Sequence, residues 1–497
     1  MSVRIIPLVD GRSKLECFNP STNEPLQDLT TISLPELTER LVRSRAAATE
    51  LASWPVKARV RCLRRFRRAM ARNTDKLIKA ICDETGKKPM EGLLEVFGAL
   101  EIMVQSEKAA LKELRKQRRA SGTFVHKRGY IDYEPYGVAT VISAWNYPLL
   151  LSVTPTYEAL LAGNSAVVKP SEQTSLVPLL AQEIFEESTG MKDLYQVVVG
   201  LADVGEALVA SPDTDIVCFI GSTVVGRKIA VAAAQQLKPV ILELGGKDPM
   251  LVLEDANLDR AAKAAVWAGF TNAGQTCIAV ERVYVVDKVY DKFIALLRKE
   301  AEKLTHGAQD EADIGSITLD VQYDKIQHHI DDARAKGAHI EIFGEPDGRH
   351  HPPVIVTDVD HTMDIMTDET FGPELGVMRV ADEAEAIAKA NECAYGLSGY
   401  VFTKSKARGR RIARQLHCGT VGINDAVIQY GMGALPIGGH KESGLGQLHG
   451  REGILNFSKV KSVVENRIEL PVELWWYDMA PKIYTSFRRL AKTRYRW

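Results

Sequence analysis

Residues 138–169 read VATVISAWNYPLLLSVTPTYEALLAGNSAVVK. Val138–Ser143 is a short apolar run, rich in β-branched residues, and reads as a strand. Residues 149–162 are apolar for too long to be a strand and read as a helix. Gly163-Asn164 is a turn, and 165–169 is a second strand. The alternation continues with a helix at 174–188, a strand at 196–199, the helix Ala202–Ala210 and the strand Ile216–Ile220. A helix at 224–236 and a strand at 239–243 complete the block. Short apolar strands separated by helices predict a doubly wound, parallel α/β sheet of Rossmann type.

Downstream, 250–253, Leu258–Phe270, 283–286, 289–304, 384–391 and 401–403 repeat the pattern and predict a second α/β domain. Upstream, 35–115 reads as helices. Leu37, Leu41 and Ala48 mark one apolar face, and Leu63, Phe66 and Met70 another. Between these blocks, two strand-like runs in 128–143 are joined through Glu134-Pro135.

With 497 residues the chain is long enough for two or more domains. Its net charge of −1 gives no reason to expect nucleic-acid binding, and the basic run 112–119 reads as a solvated helix face. Seven cysteines, odd in number and without a CxxC pair, argue against a disulfide framework or zinc site and for a reducing compartment. The pairs His328-His329 and His350-His351 lack the spacing of metal ligands. The opening residues hold no apolar stretch of signal-peptide length, and no run approaches 18 apolar residues. The expected location is the cytoplasm.

One cysteine differs from the rest. Cys277 lies in Phe270-Thr-Asn-Ala-Gly-Gln-Thr-Cys277, a polar loop between an Ala-rich helix and a Val-rich strand, where a substrate can reach it. Upstream, Glu243 ends a strand and precedes Leu244-Gly-Gly-Lys247. A nucleophilic sulfur with a separate carboxylate base suggests covalent catalysis through a thioester. Taken singly, Glu243 could instead pair with Lys247, and Asn146 before Tyr-Pro could cap a helix. Phe219-Ile-Gly221-Ser222-Thr223 turns from strand to helix, where backbone N–H groups accept phosphate, although it departs from G-x-G-x-x-G. Lys169 and Glu172, at the end of another strand, have the chemistry to hold ribose hydroxyls.

Seven segments in order closely resemble the NAD(P)-dependent aldehyde dehydrogenase superfamily over about 15–465. They are Ala144-Trp-Asn146-Tyr-Pro148, Lys169-Pro-Ser-Glu172, Phe219-Ile-Gly-Ser-Thr223, Glu243-Leu-Gly-Gly-Lys247, Gly274-Gln-Thr-Cys277, Glu369-Thr-Phe371-Gly-Pro373 and Gly438-Gly-His-Lys-Glu-Ser443-Gly. The resemblance implies Cys277 as nucleophile, Asn146 with the Cys277 N–H as oxyanion hole, and Glu243 as general base. It places Lys169 and Glu172 at the adenosine ribose, Gly221 and Ser222 at the pyrophosphate, Glu369 at the nicotinamide ribose and Phe371 near the nicotinamide. Trp145 and Leu244, with Ile142, Ser143, Ala144, Gly205, Phe219, Val225, Gly245 and Gln322, are assigned to the cofactor cleft on the same ground. The implied reaction oxidises an aldehyde to a carboxylic acid. Glu172 leans the cofactor toward NAD, with NADP as the alternative. Glu243 favours hydrolysis over acyl transfer to coenzyme A, because family members that use that acceptor usually lack this base. The family also implies a homodimer or homotetramer.

The expected architecture is a dinucleotide-binding domain (1–120 and 141–245), a catalytic domain (246–440) and an oligomerisation element (121–140 with 455–467). Two departures from the family point to medium- or long-chain aliphatic or aromatic aldehydes. Pro155 stands where many members have a Lys, and is expected to interrupt or kink its helix. Gly446-Gln-Leu-His449-Gly450 replaces a more usual Gly-Arg-Glu pattern. Tyr147, Leu151, Trp267, Phe270, Thr276 and Ile278 are candidates for the walls of an apolar substrate tunnel. The tail, 473–497, is aromatic and then basic, with Ile483, Phe487 and Leu490 at helical spacing. Such a helix can lie on an anionic membrane surface, pack on a partner subunit or cover the substrate mouth.

Overall fold

A computed structural model describes residues 2–496. The chain divides into two compact units. One runs to Leu114 and resumes over Glu134–Lys459; the other comprises Arg115–Tyr133 and the residues from Val460 onward.

The larger unit holds two extended sheets. The first has six strands in the order 444–445, Val240–Glu243, Ile216–Ile220, Val138–Ser143, Ser165–Pro170 and Tyr195–Val197. All neighbours are parallel except Gly444-Leu445, which pairs antiparallel with Leu242-Glu243. Val138–Ser143 is central and buried throughout, as its unbroken apolar run requires. From it the chain winds outward through Ser165–Pro170 on one side and later through Ile216–Ile220 on the other. Direction therefore reverses beside Val138–Ser143, and a crevice at such a reversal is where open α/β sheets bind ligands.

The second sheet has seven strands, ordered His339–Ile342, Val354–Thr357, Glu374–Val380, Val280–Val286, Asp248–Val252, Ser398–Phe402 and Thr420–Ile423. Only His339–Ile342 is antiparallel. Leu244–Lys247 is all that separates the last parallel strand of the first sheet from the first strand of the second. The larger apolar core packs on this second sheet, with Phe293, Tyr284, Phe402 and Leu375 fully buried.

Of the four helices between Leu34 and Glu113, Leu34–Ser53 packs on the first sheet, and the others pack on helices. Several of their buried charges bond backbone groups of neighbouring elements. Glu84 accepts from Leu176 N and Val177 N (2.6 and 2.9 Å) and so caps the helix Leu176–Thr189, whose Ser175 makes no side-chain cap.

Two local expectations are corrected. The helix Pro148–Ala162 runs unbroken through Pro155. Every residue of it is buried, and the Ser152 and Thr154 hydroxyls donate to the Pro148 and Leu150 carbonyls in the turn before the ring (2.5 and 2.8 Å). The basic run 112–119 is not one helix face. The helix ends at Glu113, and Gln117–Arg119 is a strand paired antiparallel with Gly129–Ile131. That strand belongs to the smaller unit, in a three-stranded sheet ordered Ser458–Asn466, Lys127–Pro135, Gln117–Arg119.

Candidate active site

The cofactor candidates lie in rows across the carboxyl edge of the six-stranded sheet. Lys169 is in register with Ile142, Ile142 with Phe219, and Phe219 with Leu242; one step on, Ile220 is in register with Glu243. Ser143, Ala144, Trp145 and Asn146 follow directly from the central strand. Gly205 comes from the helix Ala202–Ala210 and faces Lys169, whose Cδ would stand 3.5 Å from a Cβ there, an ordinary contact. Ser222 caps the helix Thr223–Gln235, accepting from Val225 N (3.4 Å). Val225 itself is exposed and offers an apolar surface at the first turn.

This edge fits a dinucleotide. Lys169 is buried, with its ammonium 3.2 Å from the Pro170 carbonyl and 3.8 Å from Glu172, so cation and carboxylate stand together where sugar hydroxyls would lie. The Ser143 hydroxyl is buried without a partner. Trp145 meets Phe371 edge to face at 5.5 Å. Glu369 accepts from Gly246 N (2.9 Å), and its carboxylate leaves no space for a side chain at Gly245, where a Cβ would be 2.7 Å from Oε2. Burial and the Glu281 charge push Glu369 up to about 7. Gln322 is the exception among these candidates. Its amide donates to the Thr370 carbonyl and braces the Glu369–Phe371 segment.

The catalytic candidates meet at the junction of the two sheets. The Asn146 amide donates to the Gln275 carbonyl (3.0 Å), two residues before Cys277, and keeps a second hydrogen to donate. Asn146 does not cap the following helix, whose N-cap position is Tyr147. The Tyr147 hydroxyl bonds Thr276 Oγ1 (2.8 Å). Gly246 lies against Cys277, where a Cβ would stand 2.5 Å from the Cys277 carbonyl oxygen. Glu243 is buried and its Oε1 has no hydrogen-bond partner. It is not paired with Lys247, which bonds Glu281 instead (2.5 Å). Burial alone holds the Glu243 carboxyl well above the usual range. Cys277 is partly exposed, unlike Cys17, Cys62 and Cys218. Burial first, then the charges of Glu369, Asp248 and Glu243, push its thiol up.

Two carboxylates of one helix fasten these loops, and the sequence reading did not find them. In the helix Pro89–Glu113, Glu91 accepts from Asn272 N (2.5 Å) and from its own N-cap residue Lys88 (3.1 Å). Four residues on, Glu95 accepts from Leu149 N and Leu150 N (2.9 and 3.2 Å), capping the helix that follows Asn146. Lys87 pairs with Glu95 (2.5 Å) and lies 3.6 Å from the centre of the Tyr147 ring. The spacing Lys87-x3-Glu91-x3-Glu95 was visible in the sequence, but which loops it serves was not.

A parallel sheet edge for a dinucleotide, and a thiol, an amide and an unpaired carboxylate gathered beside it, are joined by the comparison with known sequences. The sequence model of the aldehyde dehydrogenase family matches residues 8–463. The chain belongs to the aldehyde dehydrogenase family. The 4,4'-diapolycopene aldehyde oxidase of a Methylomonas species is 40% identical over 462 residues, spanning 92% of this chain and 87% of that protein. Among solved structures, the Mycobacterium tuberculosis aldehyde dehydrogenase complexed with NAD+ is 31% identical with a TM-score of 0.87, covering 93% of this chain and 95% of that one. The NADP-dependent glyceraldehyde-3-phosphate dehydrogenase of Bacillus halodurans, complexed with NADP, is 30% identical with a TM-score of 0.88, covering 94% and 100%. The protein is an NAD(P)-dependent aldehyde dehydrogenase.

In this aldehyde dehydrogenase a cavity of about 630 Å³ opens beside Glu91 and Thr271. Met90, Leu94, Val266, Trp267 and Phe270 give it apolar walls. Of the six tunnel candidates, Trp267 and Phe270 line this cavity. Tyr147 and Thr276 are engaged with each other, and Leu151 and Ile278 are buried. The paired histidines point apart. His329 is buried against Thr370 Oγ1 (3.0 Å), while exposed His328 stands 3.1 Å from Asp364. Among the described residues no group of three or more His, Cys, Asp or Glu is placed to hold a metal.

Two outcomes are expected. Lys247→Met strands the buried Glu281 carboxylate and lowers stability by about 3–5 kcal/mol in denaturant unfolding. Glu91→Ala releases Asn272 and lets the Cys277 loop drift. kcat should fall on the order of 10²-fold while the dissociation constant for NAD(P), read by fluorescence titration, stays put.

Proposed function

We propose that the chain oxidises an apolar aldehyde to its carboxylic acid through a thioester on Cys277. The observation that carries this reading is the buried, unpartnered Oε1 of Glu243 beside the only cysteine that follows an amide-anchored, strained loop. Cys277, once deprotonated, adds to the aldehyde carbon. The Asn146 amide, held by Gln275, donates its free hydrogen to the developing oxyanion, a contribution of the kind whose removal costs roughly 10²–10³ in rate. The bound nicotinamide supplies the hydride acceptor. Lys169, Glu172, Ser222, Glu369 and Phe371 orient that cofactor, and Trp145 packs on Phe371. Glu243 then takes a proton from the water that opens the thioester. A carboxylate with no competing hydrogen bond, raised by burial, is a stronger base than a solvated one.

The substrate reading rests on the cavity walls. Met90 and Leu94 of the helix Pro89–Glu113 line the cavity, and Leu93 and Phe97 extend the same exposed apolar strip. At its polar side Lys88 donates to the Gly307 and Gln309 carbonyls and Lys303 pairs with Glu300, while Lys263 is exposed. The apolar walls support medium- or long-chain aliphatic or aromatic aldehydes. The cofactor leans to NAD, since Glu172 beside Lys169 would repel a 2′-phosphate.

Cys277→Ser is expected to lower turnover by several orders of magnitude while NAD(P) still binds; unchanged turnover would overturn the mechanism. Glu243→Gln should keep a single-turnover burst of reduced cofactor and lose steady-state turnover by about 10²–10⁴-fold, because the thioester persists. Cys277 and Glu243 both act in their ionised forms, and both are pushed upward. Activity should therefore climb with pH through neutrality and be lost on acidification. Steady-state kinetics on aldehydes of graded length, with succinate semialdehyde as the charged comparison, test the substrate class. A kcat/KM that does not rise with chain length would sink it.

A further inference from the structure

The smaller unit ends in a helix that nothing buries. Ala480–Arg494 is a regular 15-residue helix, and no residue of it is buried. At 3.6 residues per turn, Ile483, Tyr484, Phe487, Leu490 and Ala491 fall within about one third of its circumference. Lys482, Arg488, Arg489 and Lys492 occupy the opposite side. Tyr484, Phe487 and Leu490 are 66%, 44% and 46% exposed, so the apolar stripe faces water. Isolated exposed apolar residues are ordinary; a continuous stripe on one helix is not.

Charge identifies what such a face fits. From Ala480 to Arg496 the chain has six Lys or Arg and no Asp or Glu, although in the whole protein 63 basic residues are balanced by 64 acidic ones. A second copy of this helix would bring like charges together. A surface that is apolar inside and anionic outside complements both faces at once.

The segment before the helix is built to hold it there. Glu473 is buried and accepts from His126 (3.0 Å) and Lys127. Trp475 stands edge-on to Phe124 at 5.3 Å, with the Lys127 ammonium 5.4 Å from its ring. The root of the tail is thus tied to the residues that open the strand Lys127–Pro135. Beyond that anchor, Trp476 and Tyr477 are left 51% and 96% exposed. Aromatic rings with a polar edge concentrate at the boundary between lipid and water. The helix is about 22 Å long at 1.5 Å per residue, and no helix among the described residues is long and apolar enough to cross a membrane.

We propose that Ala480–Arg494, with Trp476 and Tyr477, docks flat on an anionic lipid surface. The apolar stripe enters the headgroup boundary and the basic side meets the lipid charge. The proposal does not depend on which aldehyde is oxidised.

The test is co-sedimentation of the full chain with phosphatidylcholine vesicles, with and without phosphatidylserine. Binding is expected only when phosphatidylserine is present, and it should weaken as salt rises. Neutralising Arg488, Arg489 and Lys492 together to Gln should lower partitioning about a hundredfold, near fivefold per charge, with an unchanged Tm. Phe487→Ser should lower it further. Equal binding to neutral and anionic vesicles, no binding to either, or full binding by the triple variant would overturn the proposal. A triple variant that changes its oligomeric state in sedimentation velocity but not its lipid binding would assign the helix to a second copy instead.

Discussion

The active site hangs on one buried ion pair. Lys247 and Glu281 have almost no exposed side-chain surface and meet at 2.5 Å. The pair is stable there because its remaining bonding capacity is used. Glu281 also accepts from Thr370 N and Phe371 N (2.7 and 3.1 Å), and Lys247 reaches Thr370 Oγ1 (3.0 Å). Thr370 in turn meets His329, which burial pushes down to about 3, so the ring is neutral. A buried pair of this kind adds little net stability against an apolar substitute, but it admits only one arrangement of its neighbours. Here the neighbours are Gly246, Glu369 and Phe371, and Phe371 is held at φ +60°. Lys247 belongs to the segment after Glu243, and Glu281 to the strand after Cys277. One contact therefore sets the distance between Glu243, Cys277 and the Glu369–Phe371 segment.

Strain in the nucleophile loop is held by the same logic. Asn272 and Ala273 have φ of 54° and 52°, a left-handed conformation that costs about 1–2 kcal/mol for each residue with a Cβ. It persists because hydrogen bonds to neighbouring elements hold it. Glu91 takes the Asn272 N–H, and the Asn272 amide donates to the carbonyls of Asn146 and Gln275 (3.2 and 3.0 Å). Gln275 returns a bond to Asn272 O (2.9 Å) and accepts from Thr318 N (2.8 Å). The loop that carries Cys277 and the turn that carries Asn146 are thereby one rigid piece, as an oxyanion site needs to be.

The electrostatics favour a resting state that is chemically quiet. Glu243, Asp248 and Glu369 all push the Cys277 thiol upward, in addition to burial. A protonated thiol is a poor nucleophile and also a poor target for oxidants, whose attack follows thiolate character.

Local chemistry made much of this legible. Unbroken β-branched runs such as Val138–Ser143 can only be strands buried on both faces, and turns such as Gly163-Asn164 can only interrupt. Cys277 stood out by its polar loop; Glu243 and Asn146, which taken singly could pair with Lys247 or cap a helix, stood out through the ordered motifs they share with the family. Less was visible where context overrides propensity. Pro155 sits inside a continuous helix because total burial outweighs a missing N–H, and the mixed-polarity strands Val3–Pro7 and Ser13–Cys17 pair through register the sequence does not display. The service of Glu91, Glu95 and Glu281 was hidden for a simpler reason. Their distant partners lie 34 to 181 residues away, a proximity that only the packing of the fold creates. Residue types determined which chemistry was available; the fold determined which groups face each other, because hydrogen bonds and ion pairs depend on distance in space and the sequence records only distance along the chain.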